Sequence, residues 1–277
     1  MIQHLDFIGK ESIFKVLESK GYEVKEVEVV KNNVKLKGIC IGYPEDYIRP
    51  TIYYDPTWRE CSDEEIVEKI ITIYQKSKED MPEFNKEKIL DLEFIKNNSY
   101  ICVQRPSKEP LIKRKYLDLE LYIRIKISNC ASFKLNSNII KEIPDLKEDE
   151  LFEWAINNTK EEIIIKSIND IFNFDETEAD FPFLVVSTKD TINGASCIYF
   201  KEIFRKICKE YNLDKGAYII PSSIHECLVL LNPELINEDK FWINEMINEV
   251  NYNEVSETER LSNHYYFYDI EKDEVTY

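Results

Sequence analysis

The sequence holds only six glycines, Gly9, Gly21, Gly38, Gly42, Gly194 and Gly216, with none between Gly42 and Gly194. Cradling a phosphate in backbone N–H groups takes closely spaced glycines, because only they let the main chain approach the ligand. Neither a Walker loop nor a G-x-G-x-x-G turn can be drawn, and a G-x-S-x-G nucleophile elbow is missing. Histidine is scarcer still, with His4, His225 and His264 alone. No H-E-x-x-H helix and no C-x-x-C knuckle occurs, which removes the usual zinc patterns. Glu23-Val24-Lys25 has a nuclease-like Glu-x-Lys spacing, but no strand-borne Asp precedes it. These gaps predict no cofactor and no metal site of the usual patterns, while the many carboxylates leave a magnesium site open. Long apolar runs are lacking too: none reaches the ~18–20 residues that cross a bilayer. The opening MIQHLDFIGKESIFKVLESK places acids early and has no basic stretch ahead of an apolar one, so no secretory signal is expected.

Positive charge is in deficit. Lys and Arg number 36 against 53 Asp and Glu, a net of −17. Such a surface repels phosphate backbones and anionic lipid, so neither nucleic acid nor membrane is an expected partner. Two exceptions stay open: a local basic patch, and an acidic face that imitates DNA. The seven cysteines are odd in number, irregularly spaced and set in apolar strings such as GICIG and ECLVLL. That usage predicts buried thiols, no disulfide framework and a reducing cytoplasm.

What is present patterns well. With 43% hydrophobic and 12% aromatic residues the chain can bury a substantial core. Residues 3–20 carry helical spacing ended by Gly21. Val27 and Val29 face Val34 and Leu36 across Lys31-Asn32-Asn33, a hairpin. YIRPTIYYD (47–55) predicts an edge strand, and Ser62 to Glu65 a capping box opening a helix. The only basic cluster, RPSKEPLIKRK (105–115), reads as a solvated loop in preference to an anion site. LDLELYIRIKI (117–127) alternates as a strand, with Asp118 and Glu120 on a water-facing side. Residues 138–174 read as mostly helical, and FDETEADFP (174–182) as a linker. Beyond it, FLVVS and ASCIYF predict a hairpin, Lys201 to Asn212 a helix, AYII and ECLVLL strands, 237–250 a helix and HYYFYD a last strand. The expected fold is α+β: two packed modules, 1–176 and 177–277, each a mainly antiparallel sheet with helices, the second ordered β-β-α-β-β-α-β.

VVKNNVKLKGI, RPTIYYD, WAINNT, NGASCIYF, YIIPSSIHECLVL and LSNHYYFYD together resemble an uncharacterised family, a domain of unknown function. The similarity runs over nearly the whole chain. The resemblance implies a source among low-GC Gram-positive gut anaerobes and a mobile-element neighbourhood, a setting that favours regulation, defence or counter-defence. It carries no established chemistry and so assigns no functional residues. Family members often have Gly after the paired asparagines and Asp before the tail histidine; this sequence has Val34 and Asn263.

The remaining candidates lie in YIIPSSIHECLVLL (218–231) and the tail. As a reaction centre, Ser222, Ser223 or Cys227 is the nucleophile and His225 the base, which requires side chains within hydrogen-bond reach. As a turn, Pro221 stops one strand and the serines bond free N–H groups. Neighbouring strands would let His225 and His264 approach, with Glu226 or Asp269 beside them. Tyr265, Tyr266 and Tyr268 alternate faces, and outward tyrosines beside acids suit a protein-binding surface. The preferred expectation is a non-enzymatic cytoplasmic module that meets a protein partner through an acidic, aromatic-bearing surface. The alternatives are a hydrolase or nuclease built on Ser223, His225, Glu226 and His264, and a DNA-mimicking inhibitor.

Overall fold

The computed structural model describes residues 10–46, 48–79, 86–128, 131–143, 146–172, 182–231 and 240–277. A small module comes first. α1 (Lys10–Ser19) buries Ile13 and Leu17 and ends where Gly21 takes φ +89°, the left-handed conformation glycine tolerates. β1 (Glu23–Lys31) and β2 (Val34–Gly42) pair antiparallel with Val29 opposite Leu36, the register expected from the alternation. Asn32 (φ 46°) and Asn33 (φ 63°) turn between them, both left-handed as a tight hairpin requires. β3 (Thr51–Tyr53) joins β2 and is shorter than the expected 47–55, since Pro50 donates nothing to a ladder. α2 (Asp63–Glu79) opens on the expected capping box: the Ser62 N–H donates to Glu65 Oε2 (2.7 Å) and the Glu65 N–H to Ser62 Oγ (3.3 Å). Its Ile66 and Ile70 close a core with Leu17 and Ile41.

α3 (Lys86–Ile89) and α4 (Leu92–Asn98) lead into a second sheet of β4 (Ser99–Gln104), β5 (Lys113–Tyr116), β6 (Leu119–Lys126) and β7 (Ser132–Lys134). β6 is its centre and pairs with all three others. α5 (Ser137–Lys141) and α6 (Glu148–Glu162) follow, and Thr159 of α6 accepts the Ile101 N–H of β4 at 2.9 Å. The remaining elements are β8 (Ile163–Ser167), α7 (Ile168–Phe172), β9 (Phe183–Thr188), a 3-10 turn (Gly194–Tyr199), α8 (Lys201–Glu210), β10 (Gly216–Ile220), β11 (Glu226–Leu230), α9 (Lys240–Asn253), β12 (Tyr266–Asp269) and β13 (Glu274–Thr276). Six of these strands form one antiparallel sheet in the order β13-β12-β10-β11-β9-β8. Its side chains alternate between two cores. Val186, Ile219, Val229 and Tyr266 face the main core shared with the second sheet, while Tyr218, Ile220 and Leu230 pack with Ile243 and Ile247 of α9.

The α+β class holds, with departures from the expected order: β13 follows the strand read as the last, and residues 113–115 of the run read as a solvated loop belong to β5. Residues 163–167 are a strand inside the span read as helical; Ile163, Ile164 and Ile165 are β-branched and favour the extended chain even where apolar spacing continues a helix. ASCIYF is not a hairpin arm. It is a 3-10 turn buried almost throughout, and a continuously apolar string does not reveal its period. β9 pairs instead with β11 and β8. The turn sits tight: a Cβ on Gly194 would come within 2.3 Å of Ser187 Oγ. The division at 176/177 falls between β8 and β9, which pair along their length, and all of the expected linker except Pro182 lies outside the described residues.

The hairpin tip joins the small module to the rest. Asn32 is 5% exposed. Its Nδ2 donates to the Arg260 carbonyl (2.5 Å) and its Oδ1 accepts the Arg105 N–H (2.8 Å). Arg105 Nη2 donates to the Asn32 carbonyl (3.0 Å) and to that of Glu257 (2.9 Å), and Lys134 Nζ donates to Val30 O (3.1 Å). Asn32→Ala leaves a buried donor and acceptor unpaired and is expected to lower unfolding free energy in a urea titration by about 1–3 kcal/mol. Asn33→Gly, at an exposed left-handed position, is expected to stay within about 0.5 kcal/mol of the parent. Equal losses for the two would contradict the pinning role.

Candidate functional site

The serine–histidine knot resolves into a turn. Ser222 Oγ and Ser223 Oγ both donate to Glu226 Oε1 (2.9 and 2.8 Å), and Ser223 Oγ accepts the His225 backbone N–H (3.0 Å). Ser223 is thus bonded to the His225 main chain and not to its ring, and no nucleophile–base pair forms. The ring points elsewhere: Nδ1 accepts the Asn193 N–H (3.3 Å), which places the neutral ring's proton on Nε2, 3.7 Å from Glu259 Oε1. Cys227 is fully buried, and its contact with the Cys197 thiol together with burial holds its thiol well above the ordinary value, which makes a poor nucleophile.

His264 lies in a different cluster. Its Nε2 contacts Asp118 Oδ2 (3.1 Å), a carboxylate that also accepts from Ser262 Oγ (3.1 Å) and Tyr266 Oη (2.5 Å). The loops holding the two histidines leave the same end of the sheet, but β10 runs between β11 and β12 and the imidazoles share no partner. Asp118 does not face water as the alternation suggested. Leu117 takes φ 55°, so the strand begins only at Leu119 and Asp118 turns toward the tail. Glu120 pairs with Lys113 at 3.0 Å. Burial works to raise the Asp118 carboxyl, but its hydrogen bonds from His264, Tyr266 and Ser262 outweigh that and bring it to about 2. Tyr266 and Tyr268 are 0% exposed, with hydroxyls bonded to Asp118 and Asp273, so they present nothing to a partner. Tyr265 is half-buried, edge-on to Tyr218.

A cleft of about 940 Å³ opens between the hairpin module and the second sheet. The tip of β1, β3 and the end of α2 form one wall; β6, β7 and the loops at Asn193, His225 and Glu259 form the other. Its lining inverts the charge of the chain. Among the described residues it carries five cations, Lys31, Arg49, Lys76, Arg124 and Lys134, and one carboxylate, Glu259. Arg49 is paired with Glu23 (2.6 Å) and Lys134 with Glu109 (2.8 Å). Lys31, Lys76 and Arg124 have no carboxylate partner among the described residues. The Lys31 ammonium lies 4.2 Å above the Tyr53 ring, and the Arg124 guanidinium is fixed by Ser132, Nε to Oγ and Nη2 to the carbonyl, both at 2.9 Å. Burial lowers the Lys31 ammonium below its ordinary value, and Arg124 and Lys134 push the same way against Glu259. The basic cluster of the sequence takes no part: Arg105 pins the hairpin, Lys113 pairs with Glu120, and Arg114 bonds Asp149 and stacks on Phe152. No local signal marks the cleft cations, which lie from position 31 to position 134 and meet only through the fold.

The chain belongs to the family of unknown function DUF5688, whose model matches residues 9–270. Comparison with curated proteins and with solved structures returns no match. Among the described residues no group of three or more His, Cys, Asp and Glu is placed to hold a metal ion, and no helix is long and apolar enough to cross a membrane.

The Asp118 cluster sets the sign of a pH effect. The His264 imidazole is raised above its ordinary value, first by its hydrogen bond to Asp118. Its stabilisation is therefore fully present below about pH 6.5 and is lost as pH rises through the higher folded-state value. Asp118 stays ionised across that window; its own contribution fades only as pH falls from about 4 toward 2. The destabilisation caused by His264→Gln, measured by urea unfolding, is expected to be larger at about pH 5.5 than at about pH 9. Tyr266→Phe, which takes one donor from a half-buried carboxylate, is expected to cost about 1–3 kcal/mol. A pH-independent His264→Gln effect would contradict the pairing.

Proposed function

We propose that this protein is a binding module that receives a small anionic ligand in the cleft between its hairpin module and its second sheet. One observation carries the reading: in a chain of net −17 the described residues gather five cations and one carboxylate around the cleft, three of the cations without a carboxylate partner among them. Like charges held together repel: burial first, and then Arg124 and Lys134, lower the Lys31 ammonium, against Glu259. A chain with 53 acidic residues had many positions from which to neutralise the site. Leaving it positive makes sense where the missing charge arrives on a ligand. The volume lies within the range of small-molecule pockets, about 300–1,000 Å³. A long polyanion is disfavoured by the acidic remainder of the surface. In this reading His225 lines the cleft as a polar contact and not as a base for Ser223, whose hydroxyl is occupied by Glu226. The acidic exterior stays available to a protein partner, in a cytoplasmic and regulatory setting such as the sequence suggests.

Calorimetric titration at low salt tests the proposal. Anionic small molecules are expected to bind the parent and to weaken with added salt, while neutral and cationic analogues do not bind. Lys31→Met is expected to lower anion affinity about tenfold. Because Lys31 is exposed, its replacement should leave stability within about 0.5 kcal/mol. Anion binding unchanged in Lys31→Met, or no anion bound by the parent, would sink the reading.

A further inference from the structure

Resting on the anion-binding reading of the cleft, we infer that the ligand is a phosphate monoester dianion on a small organic group, gripped between Lys31 of the hairpin module and Arg124 of the second sheet, with Lys76 at the rim. The charge count points to a dianion. Lys31, Lys76 and Arg124 carry three positive charges with no carboxylate partner among the described residues, and Glu259 offsets one. Two charges remain, where a carboxylate supplies one and a phosphate monoester about 1.5 to 2 at neutral pH.

Placement points to a tetrahedral group. Lys31 reaches the cleft from the end of β1 and Arg124 from the middle of β6 on the facing wall. A planar carboxylate offers two oxygens in one plane, whereas a phosphate monoester offers three in different directions and meets donors on both sides. Arg124 suits the role, since its bonds to Ser132 occupy Nε and one edge of Nη2 and hold the guanidinium plane still. Tyr122 and Tyr100 also hydrogen-bond the guanidinium, and the N–H groups left over are the charged donors a phosphate oxygen accepts from. Lys31 is steadied over the Tyr53 ring, a contact that takes up none of its charge with a carboxylate and leaves donors for the cleft. The 940 Å³ exceeds what a phosphate needs and leaves room for the organic half of the ester. A nucleic-acid strand is the less favoured source of phosphate, since a chain of net −17 repels a run of them.

Calorimetry on the full chain at low salt, with glycerol phosphate, inorganic phosphate, succinate, acetate and a short oligothymidylate as probes, tests the inference. Glycerol phosphate and inorganic phosphate are expected to bind at least about tenfold more tightly than acetate, and more tightly than succinate. Lys31→Met and Lys76→Met are each expected to lower glycerol phosphate affinity about tenfold, and Glu259→Gln to raise it severalfold by removing the one opposing charge. The two lysines are exposed, so the test stands even where an Arg124 variant fails to fold. Acetate binding as tightly as phosphate overturns the dianion while the anion site survives. Succinate matching phosphate overturns the tetrahedral grip. Oligothymidylate outbinding glycerol phosphate assigns the cleft to nucleic acid, and silence from every probe overturns both this inference and the reading beneath it.

Discussion

The buried carboxamide of Asn32 is the interaction on which the arrangement depends. It sits at the tip of a hairpin whose turn needs two left-handed residues, and asparagine adopts that conformation more readily than most side chains. Its side chain then bonds backbone groups of Arg105 and Arg260, far apart in sequence. The small module has its own core, separate from the large one. What fixes it against the second sheet near the cleft is therefore largely polar: Asn32, the Arg105 guanidinium and the Lys134 ammonium on Val30 O. One consequence is positional. Lys31 precedes Asn32, so the contact that docks the hairpin also sets the Lys31 ammonium at the cleft.

Polarity then divides the molecule. Most acidic side chains are spent on solvation and on local pairs such as Asp273 with Arg205 and Lys201, or Asp46 with Lys78. The tail cluster is balanced as well, with Asp118 satisfied by Ser262, His264 and Tyr266. The cleft is the exception. Three of its cations have no carboxylate partner among the described residues, and holding them together carries an electrostatic cost, as expected where a proposed binding site departs from what stability prefers.

Local patterning was legible and long-range assembly was not. The β1–β2 register and the Ser62–Glu65 box follow from spacing within a few residues and formed as read, and the β6 alternation holds from Leu119 onward. ASCIYF misled because an unbroken apolar string carries no period, and residues 163–167 misled because their isoleucines continue a helical face. Adjacency in sequence offers Ser223 as one reading of His225 and a turn as the other; the fold supplies Asn193 and Glu259 as its partners. The cleft cations gave no signal. They are single lysines and arginines scattered among acids, and only strand pairing and hairpin docking bring them together.

The most direct measurement is an NMR titration of the Lys31 side chain, following its ε-carbon with pH in the free protein and again with phosphate present. If the hairpin holds this ammonium partly buried and beside Arg124 and Lys134, it titrates below the ordinary lysine value of about 10.4 in the free protein and rises when the anion is added. A Lys31 that titrates at the ordinary value and is unmoved by phosphate would contradict the account.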